Sequence, residues 1–308
     1  MLSDGGDPLP GRKLFHPPPR EIKGSVMRFF AGKDIIGLLL IAVFIFLATA
    51  SSPCAAGLDD FKSLKGSLLI AGGTAHLPVM HELARRIHES NPQINISVSG
   101  GGSSLGVEKV GRDLVDIGNS GRPLTAQEAA AYKLTAIPFA IDGIAVVVHP
   151  FNRVASLSME EARQIFAGKI RNWREVGGED REIHLYGRDA ASGTRNVFRK
   201  KMFGQEEFAA DTRLVDSNNA MKVIVSLDPL AIGYVSIGHL DAAKVKGVPL
   251  DGVVPNQANA RNGTYMISRK LFMCISETPS ELTRLFVDYV LGSDGHGAIV
   301  AAGYIPLQ

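Results

Sequence analysis

The sequence predicts an α/β protein with largely parallel sheets. Three observations predict it. From Gly66 onward, short apolar runs alternate with amphipathic segments. Several of the apolar runs end in glycine or serine, as strands do where they enter a turn. The chain has 308 residues, which is room for two domains of ordinary size.

The elements follow in order. Residues 67–72 (SLLIAG) read as a strand closed by glycine. Residues 77–90 (LPVMHELARRIHES) have helical periodicity and stop at Asn91-Pro92. Residues 94–100 are strand-like, GVEKVGRDL is a short helix, and VDIGNS is a third strand. Thr125 with Glu128 forms a capping box for a helix through Tyr132. Residues 144–150 (IAVVVHP) read as a buried strand stopped by proline. Ser158 with Glu161 caps a helix that ends near Gly168. EIHLYG is a strand, SGTRNVFRKKMF and NAMKVIVSL are helices, and AIGYVSIG is a strand. Residues 265–276 are strand-like, and SELTRLFVDYVLG and GHGAIVAAG are closing helices.

Composition excludes several classes. Hydrophobic residues make up 45% and charged residues 21%, an ordinary globular balance. A formal net charge of +2, with no Lys/Arg run, gives no footprint for nucleic acid. Residues 36–50 form an apolar core preceded by Lys23, Arg28 and Lys33 and followed by the small residues SSPCAAG. That is the pattern of an export signal, and it places the mature chain in the periplasm. The expected leader is residues 1–56, a signal peptide with an N-terminal extension, in which Met27 is an alternative start. Cleavage after Ala50 or Ala56 fits the small-residue zone; a lipid on Cys54 or a retained anchor is the weaker reading. After cleavage at Ala56, Cys274 stands alone, as a small buried residue rather than a metal ligand.

Four strand ends run into loops rich in Gly, Ser or Thr: residues 72–75, 100–104, 119–122 and 188–194. A helix start offers unbonded N–H groups and a partial positive charge, which suit an anion. Glycine lets the backbone approach the ligand, and hydroxyls add uncharged donors. Arg188 supplies a fork of donors matched to an oxyanion. In α/β sheets the ligand lies beyond the carboxyl ends of the strands, where these loops fall.

The segments GGGSSLGVEKVGRDLVDIGNSGRPLT, FAIDGIAVVVHP, QIFAGKIRNWREVGG and RDAASGTRNVF resemble the phosphate-binding receptor family of ABC importers, which has the type II periplasmic binding protein fold. The resemblance runs from about Gly66 to the C-terminus. It implies two lobes joined by two hinge crossovers, with the anion enclosed between them. Lobe one is expected from residues 57–148 plus 263–308, and lobe two from residues 149–262. The resemblance implies that Thr74, Ser103, Ser120, Arg188, Ser192, Gly193 and Thr194 contact the anion. With the neighbouring loop residues Gly73, Ala75, Ser104 and Arg122, and with Asp142, these complete the expected phosphate-binding set. Asp142 and Asp189 are candidates for a carboxylate that accepts the proton of hydrogen phosphate. Such a group would turn away fully ionised sulfate.

The chain departs from the family pattern at Gly73, Ala75, Gly121 and Ala190, where the family more often carries a hydroxyl or an acid. The implied partners are inorganic phosphate and a membrane permease; the implied state is a monomer, with no cofactor, no metal and no catalysis. Receptors for sulfate, molybdate or tungstate, and a periplasmic phosphatase on the same scaffold, are the alternatives. GGGSSLG lacks the lysine of a P-loop, and Ser192 lacks the first glycine of a nucleophile elbow. His76, His81 and His88 fall near one helix and read as solvated rather than as zinc ligands. Trp173, with Phe166 and Ile170, reads as packing.

Overall fold

The computed structural model describes residues 56–204 and 206–307. The expected leader falls, except for Ala56, outside the described residues. Among those that are described, no helix is long and apolar enough to cross a membrane.

The elements are β1 (Gly66–Gly72), α1 (Leu77–Ser90), β2 (Ile94–Gly101), α2 (Ser103–Gly111), β3 (Ile117–Ser120), α3 (Ala126–Tyr132) and β4 (Leu134–Val148). Then come α4 (Met159–Phe166), β5 (His184–Arg188), α5 (Gly193–Met202), β6 (Arg213–Val215), α6 (Asn218–Leu227), β7 (Ala231–Ser236) and β8 (Lys246–Gly247). The chain closes with α7 (Gln257–Arg261), β9 (Ser268–Ser276), α8 (Glu281–Leu291), α9 (Ser293–Ala301) and β10 (Ile305–Pro306). The expected capping boxes are both present: Thr125 accepts from the Glu128 amide, and Ser158 from the Glu161 amide.

The strands order as β2-β1-β3-β9-β4-β7-β5-β6, with β8 and β10 also paired to β4. The outer joins are parallel: β1 with β2 and β3, and β5 with β6 and β7. The central joins are antiparallel: β9 with β3 and β4, and β4 with β7. The sheet is therefore mixed, where the sequence suggested largely parallel pairing. The cause is β4, which is 15 residues long rather than the short strand expected from residue 144. Its first part, Leu134–Gly143, pairs with β9, and its second, Ile144–Val148, pairs with β7. Pro138 and the Asp142-Gly143 pair interrupt the local strand pattern ahead of residue 144. A register shift between Pro138 and Ala140 accommodates the proline.

Two large apolar cores lie on either side of this centre. One is built from residues between Ala56 and Ala140 and between Leu271 and Tyr304. The other is built from residues between Ile144 and Ile267. The chain changes core within β4, and again around the start of β9. In the second core Phe198 stacks on Tyr234 with ring centroids 4.2 Å apart, and Phe166 meets Phe198 edge-on at 5.0 Å. Trp173 is buried in the same core and donates its indole N–H to the Leu230 carbonyl at 3.1 Å. Cys274 is a buried free thiol.

Candidate anion-binding site

Four strand-end loops converge on one small, tightly walled cavity, lined by parts of both cores' elements. β1 leads through Gly73 into a single tight turn, Thr74–His76, and then into α1. β2 leads through Gly102 into α2, and β3 ends beside Gly121. β5 ends at Arg188, and its loop leads to Ser192, the N-cap of α5. The Ser192 hydroxyl accepts from the Arg195 amide at 3.1 Å. That leaves Gly193 and Thr194, the first residues of α5, with amides ahead of the point where intrahelical bonding begins. A Cβ on Gly193 would sit 2.1 Å from the Ser103 hydroxyl, so only glycine lets these two helix starts come this close.

Arg188 dominates the electrostatics. It is 1% exposed. Its Nε donates to the Val215 carbonyl at 3.1 Å and its Nη2 to the Asp216 carbonyl at 2.7 Å. Its Nη1 is buried without a protein partner. Burial pushes the guanidinium below the ordinary arginine pKa, because removing a cation from water disfavours it. An arginine nevertheless stays charged, so the cavity holds a desolvated cation with a donor to spare.

The cavity walls are tied together across the two cores. Thr74 Oγ1 accepts from Asn218 Nδ2 at 3.0 Å, and the His239 ring meets the Thr74 carbonyl at 3.1 Å. The Ser104 amide donates to the Ala191 carbonyl at 3.2 Å. Within the first core's side, Ser103 Oγ accepts from the Gly121 amide at 2.9 Å.

Of the expected set, Gly73, Thr74, Ala75, Ser103, Arg188, Ser192, Gly193 and Thr194 line the cavity. Ser104, Ser120, Arg122 and Asp142 are not among its lining residues. Arg122 is drawn to α3, where Glu128 takes both its Nη atoms at 2.6 and 2.7 Å, and its Nη2 also engages Ser104 Oγ at 3.0 Å. Ser120 Oγ donates to the Arg122 carbonyl at 2.7 Å, closing a local turn. Asp142 is fully buried behind Arg269, accepting from its Nε at 3.0 Å and Nη2 at 2.8 Å, and from Ser236 Oγ at 2.8 Å. Asp189 accepts the Ala191 amide at 2.8 Å and does not line the cavity either.

His76, Gly102, Gly121 and Arg269 line the cavity but were not in the expected set. His76 is fully buried, not solvated, while His81 and His88 are exposed. Burial and the charge of Arg269 lower its pKa to about 3, and its Nδ1 meets the Gly73 carbonyl at 3.1 Å. The available signal for Arg269 was a basic pair, Arg269-Lys270, at the start of an otherwise largely apolar strand run. No carboxylate is among the lining residues. Among the described residues, no cluster of three His, Cys, Asp or Glu side chains could hold a metal.

The sequence matches the PBP superfamily domain over residues 59–294. It is 34% identical over 284 residues to the phosphate-binding protein PstS of Bacillus subtilis, covering 89% of this chain and 94% of that one. Its structure is similar to that of a phosphate ABC transporter substrate-binding protein from Clostridium perfringens, solved with bound phosphate. That similarity has a TM-score of 0.76 and 31% identity, covering 79% of this chain and 100% of the other. An ABC-type phosphate transport receptor from Vibrio cholerae gives a TM-score of 0.63 at 32% identity, covering 77% and 99%.

Proposed function

The chain belongs to the phosphate-binding receptor family of ABC importers, within the PBP superfamily, and we propose that it binds inorganic phosphate between two lobes and hands it to a membrane permease. One observation carries the reading: Arg188 lines the cavity where the helix starts converge, and its Nη1 is a buried, charged donor without a protein partner. A buried cation left unpaired is costly, and a tetrahedral anion resolves that cost. The amides of Gly193 and Thr194 and the hydroxyls of Thr74 and Ser103 supply further dipoles in place of water.

The two apolar cores define the lobes, and β4 and β9 are the crossovers between them. Thr74 and Ser103 come from one lobe, and Arg188 and the start of α5 from the other. An anion that touches both sides stabilises closure to the extent that it binds the closed form better. The contacts between Thr74 and Asn218, and between Ser104 and Ala191, belong to that closed form. Release to the permease then requires the lobes to part.

The protein is a receptor and not an enzyme. The Ser192 hydroxyl is engaged as a helix cap, and His76 meets a backbone carbonyl rather than a serine. The apolar segment with basic flanks at residues 23–50 supports export to the periplasm, where the chain works as a monomer. Equilibrium dialysis with labelled phosphate, run beside a phosphatase assay, tests the reading. Saturable one-to-one binding without turnover is expected. Hydrolysis of a phosphate ester, or absence of binding, would overturn it.

A further inference from the structure

The cavity is built with a guanidinium where a proton-accepting acid could have stood. Gly121 has no side chain, and the space beside it is taken by Arg269: a Cβ on Gly121 would lie 2.7 Å from Arg269 Nη1. Arg269 reaches in from β9 and lines the cavity together with Arg188. Asp142 holds it from behind through two hydrogen bonds to one carboxylate oxygen, while Ser236 holds the other oxygen. The carboxylate's hydrogen-bonding capacity is thus spent on positioning Arg269 and not on the ligand. We propose that Arg269 is a specificity-determining residue, which makes the cavity select the doubly charged form of a tetrahedral oxyanion and leaves a proton-free anion such as sulfate unrejected.

The argument rests on the phosphate-receptor reading and deepens it. A carboxylate in the cavity would accept the proton of hydrogen phosphate and repel sulfate. With two guanidinium groups and no carboxylate on the lining, sulfate meets donors only; Asp142 offsets part of the charge of Arg269 from behind, and Arg188, which has no salt bridge among the described residues, favours the dianion. The single proton of a phosphate dianion can still be received by a serine or threonine oxygen. The protonated monoanion carries less charge toward the two cations and has a second proton to place.

The groups whose fields meet that of Arg269 come from several elements: Asp142 from β4, His76 from the turn before α1, Arg188 from β5, His239 after β7 and Tyr304 before β10. His76 lies lowered to about 3 and His239 to about 4, both mainly by burial, and burial pushes Tyr304 up. None of these three changes charge between about pH 6 and pH 8; burial raises Asp142 against the pull of Arg269, so a pH dependence seen with phosphate and absent with sulfate is what reports the ligand's own second proton.

The test is calorimetry of the mature chain, stripped by unfolding and refolding, against phosphate and sulfate from about pH 6 to pH 8. Selection of the dianion gives a rise of roughly tenfold in phosphate affinity over that range, following one linked proton. Sulfate affinity should stay flat and come within roughly tenfold of phosphate at the upper end. The double variant D142N/R269Q removes both charges together without stranding either; it should still bind phosphate, with the pH dependence reduced below about threefold. Gly121→Asp, which adds an acceptor beside the ligand, should weaken sulfate at least about tenfold more than phosphate. A flat phosphate profile in the wild type, sulfate excluded at thousandfold excess, or an unchanged pH profile in the double variant would overturn the role of Arg269 and leave the receptor reading standing. Absence of phosphate binding at every pH would overturn both.

Discussion

Replacing Arg188 with alanine tests the electrostatic core of the site. In the intact protein Nε and Nη2 are held by the Val215 and Asp216 carbonyls, so only Nη1 is left to donate into the cavity. A hydrogen bond to a charged group contributes about 1.5–3 kcal/mol, and here both partners are charged and desolvated. Arg188→Ala should therefore weaken phosphate binding by at least about 2 kcal/mol, or roughly 30-fold. The same change leaves two carbonyls without their donor, so the melting temperature of the free protein should fall as well. Arg188→Lys separates the two effects. It keeps one charge, but its single ammonium cannot serve both carbonyls and the cavity, and its affinity should fall between wild type and Arg188→Ala. The assay is isothermal calorimetry at constant pH, with a melt of each variant alone. Wild-type affinity in Arg188→Ala, with a native melt, would refute the reasoning.

Asp142→Ala removes the partner of a buried Arg269 and should cost about 3–5 kcal/mol, read as a fall of roughly 10 °C in melting temperature. Gly102→Val places a Cβ 2.6 Å from the Ala191 carbonyl at a positive φ of 93°; it should weaken phosphate binding by opposing lobe closure, measured by the same calorimetry. The stability of the free protein should decline as pH falls below the ordinary histidine value of 6.5. The folded chain holds His76 neutral down to about 3, whereas the unfolded chain takes up the proton first. Stability is therefore fully present above the unfolded value and lost on acidification, at up to about 1.4 kcal/mol per pH unit for that group. His239, lowered to about 4, acts in the same direction. His76→Asn retains a donor for the Gly73 carbonyl and should show a shallower decline in melts from about pH 7 to pH 4; an unchanged slope would contradict this.

Much of the site was legible because it is written in local chemistry. A strand followed by Gly, Ser or Thr and then a helix start can be read from neighbouring residues, and the loops at Thr74, Ser103 and Ser192 line the cavity. Contacts made across the fold were not legible. Ser104 meets Arg122 18 positions on, while the Arg122–Glu128 pair and the Ser120 turn are local contacts whose competition with a ligand the residue types alone do not decide. Asp142 looks available until β9 brings Arg269 against it, a pairing that spans 127 positions. The mixed sheet was hidden for a related reason. The first part of β4 carries Pro138 and the Asp142-Gly143 pair, which interrupt the local strand pattern, and the long pairing with β9 carries the strand through them.

The central claim is that one cavity, walled by both lobes and charged by Arg188, receives a tetrahedral anion. A crystal structure of the mature chain grown with phosphate tests it most directly. The account predicts a single tetrahedral density within hydrogen-bond distance of Arg188 Nη1 and of the Gly193 and Thr194 amides. An anion bound elsewhere, or a cavity that stays without one under saturating phosphate, would contradict it.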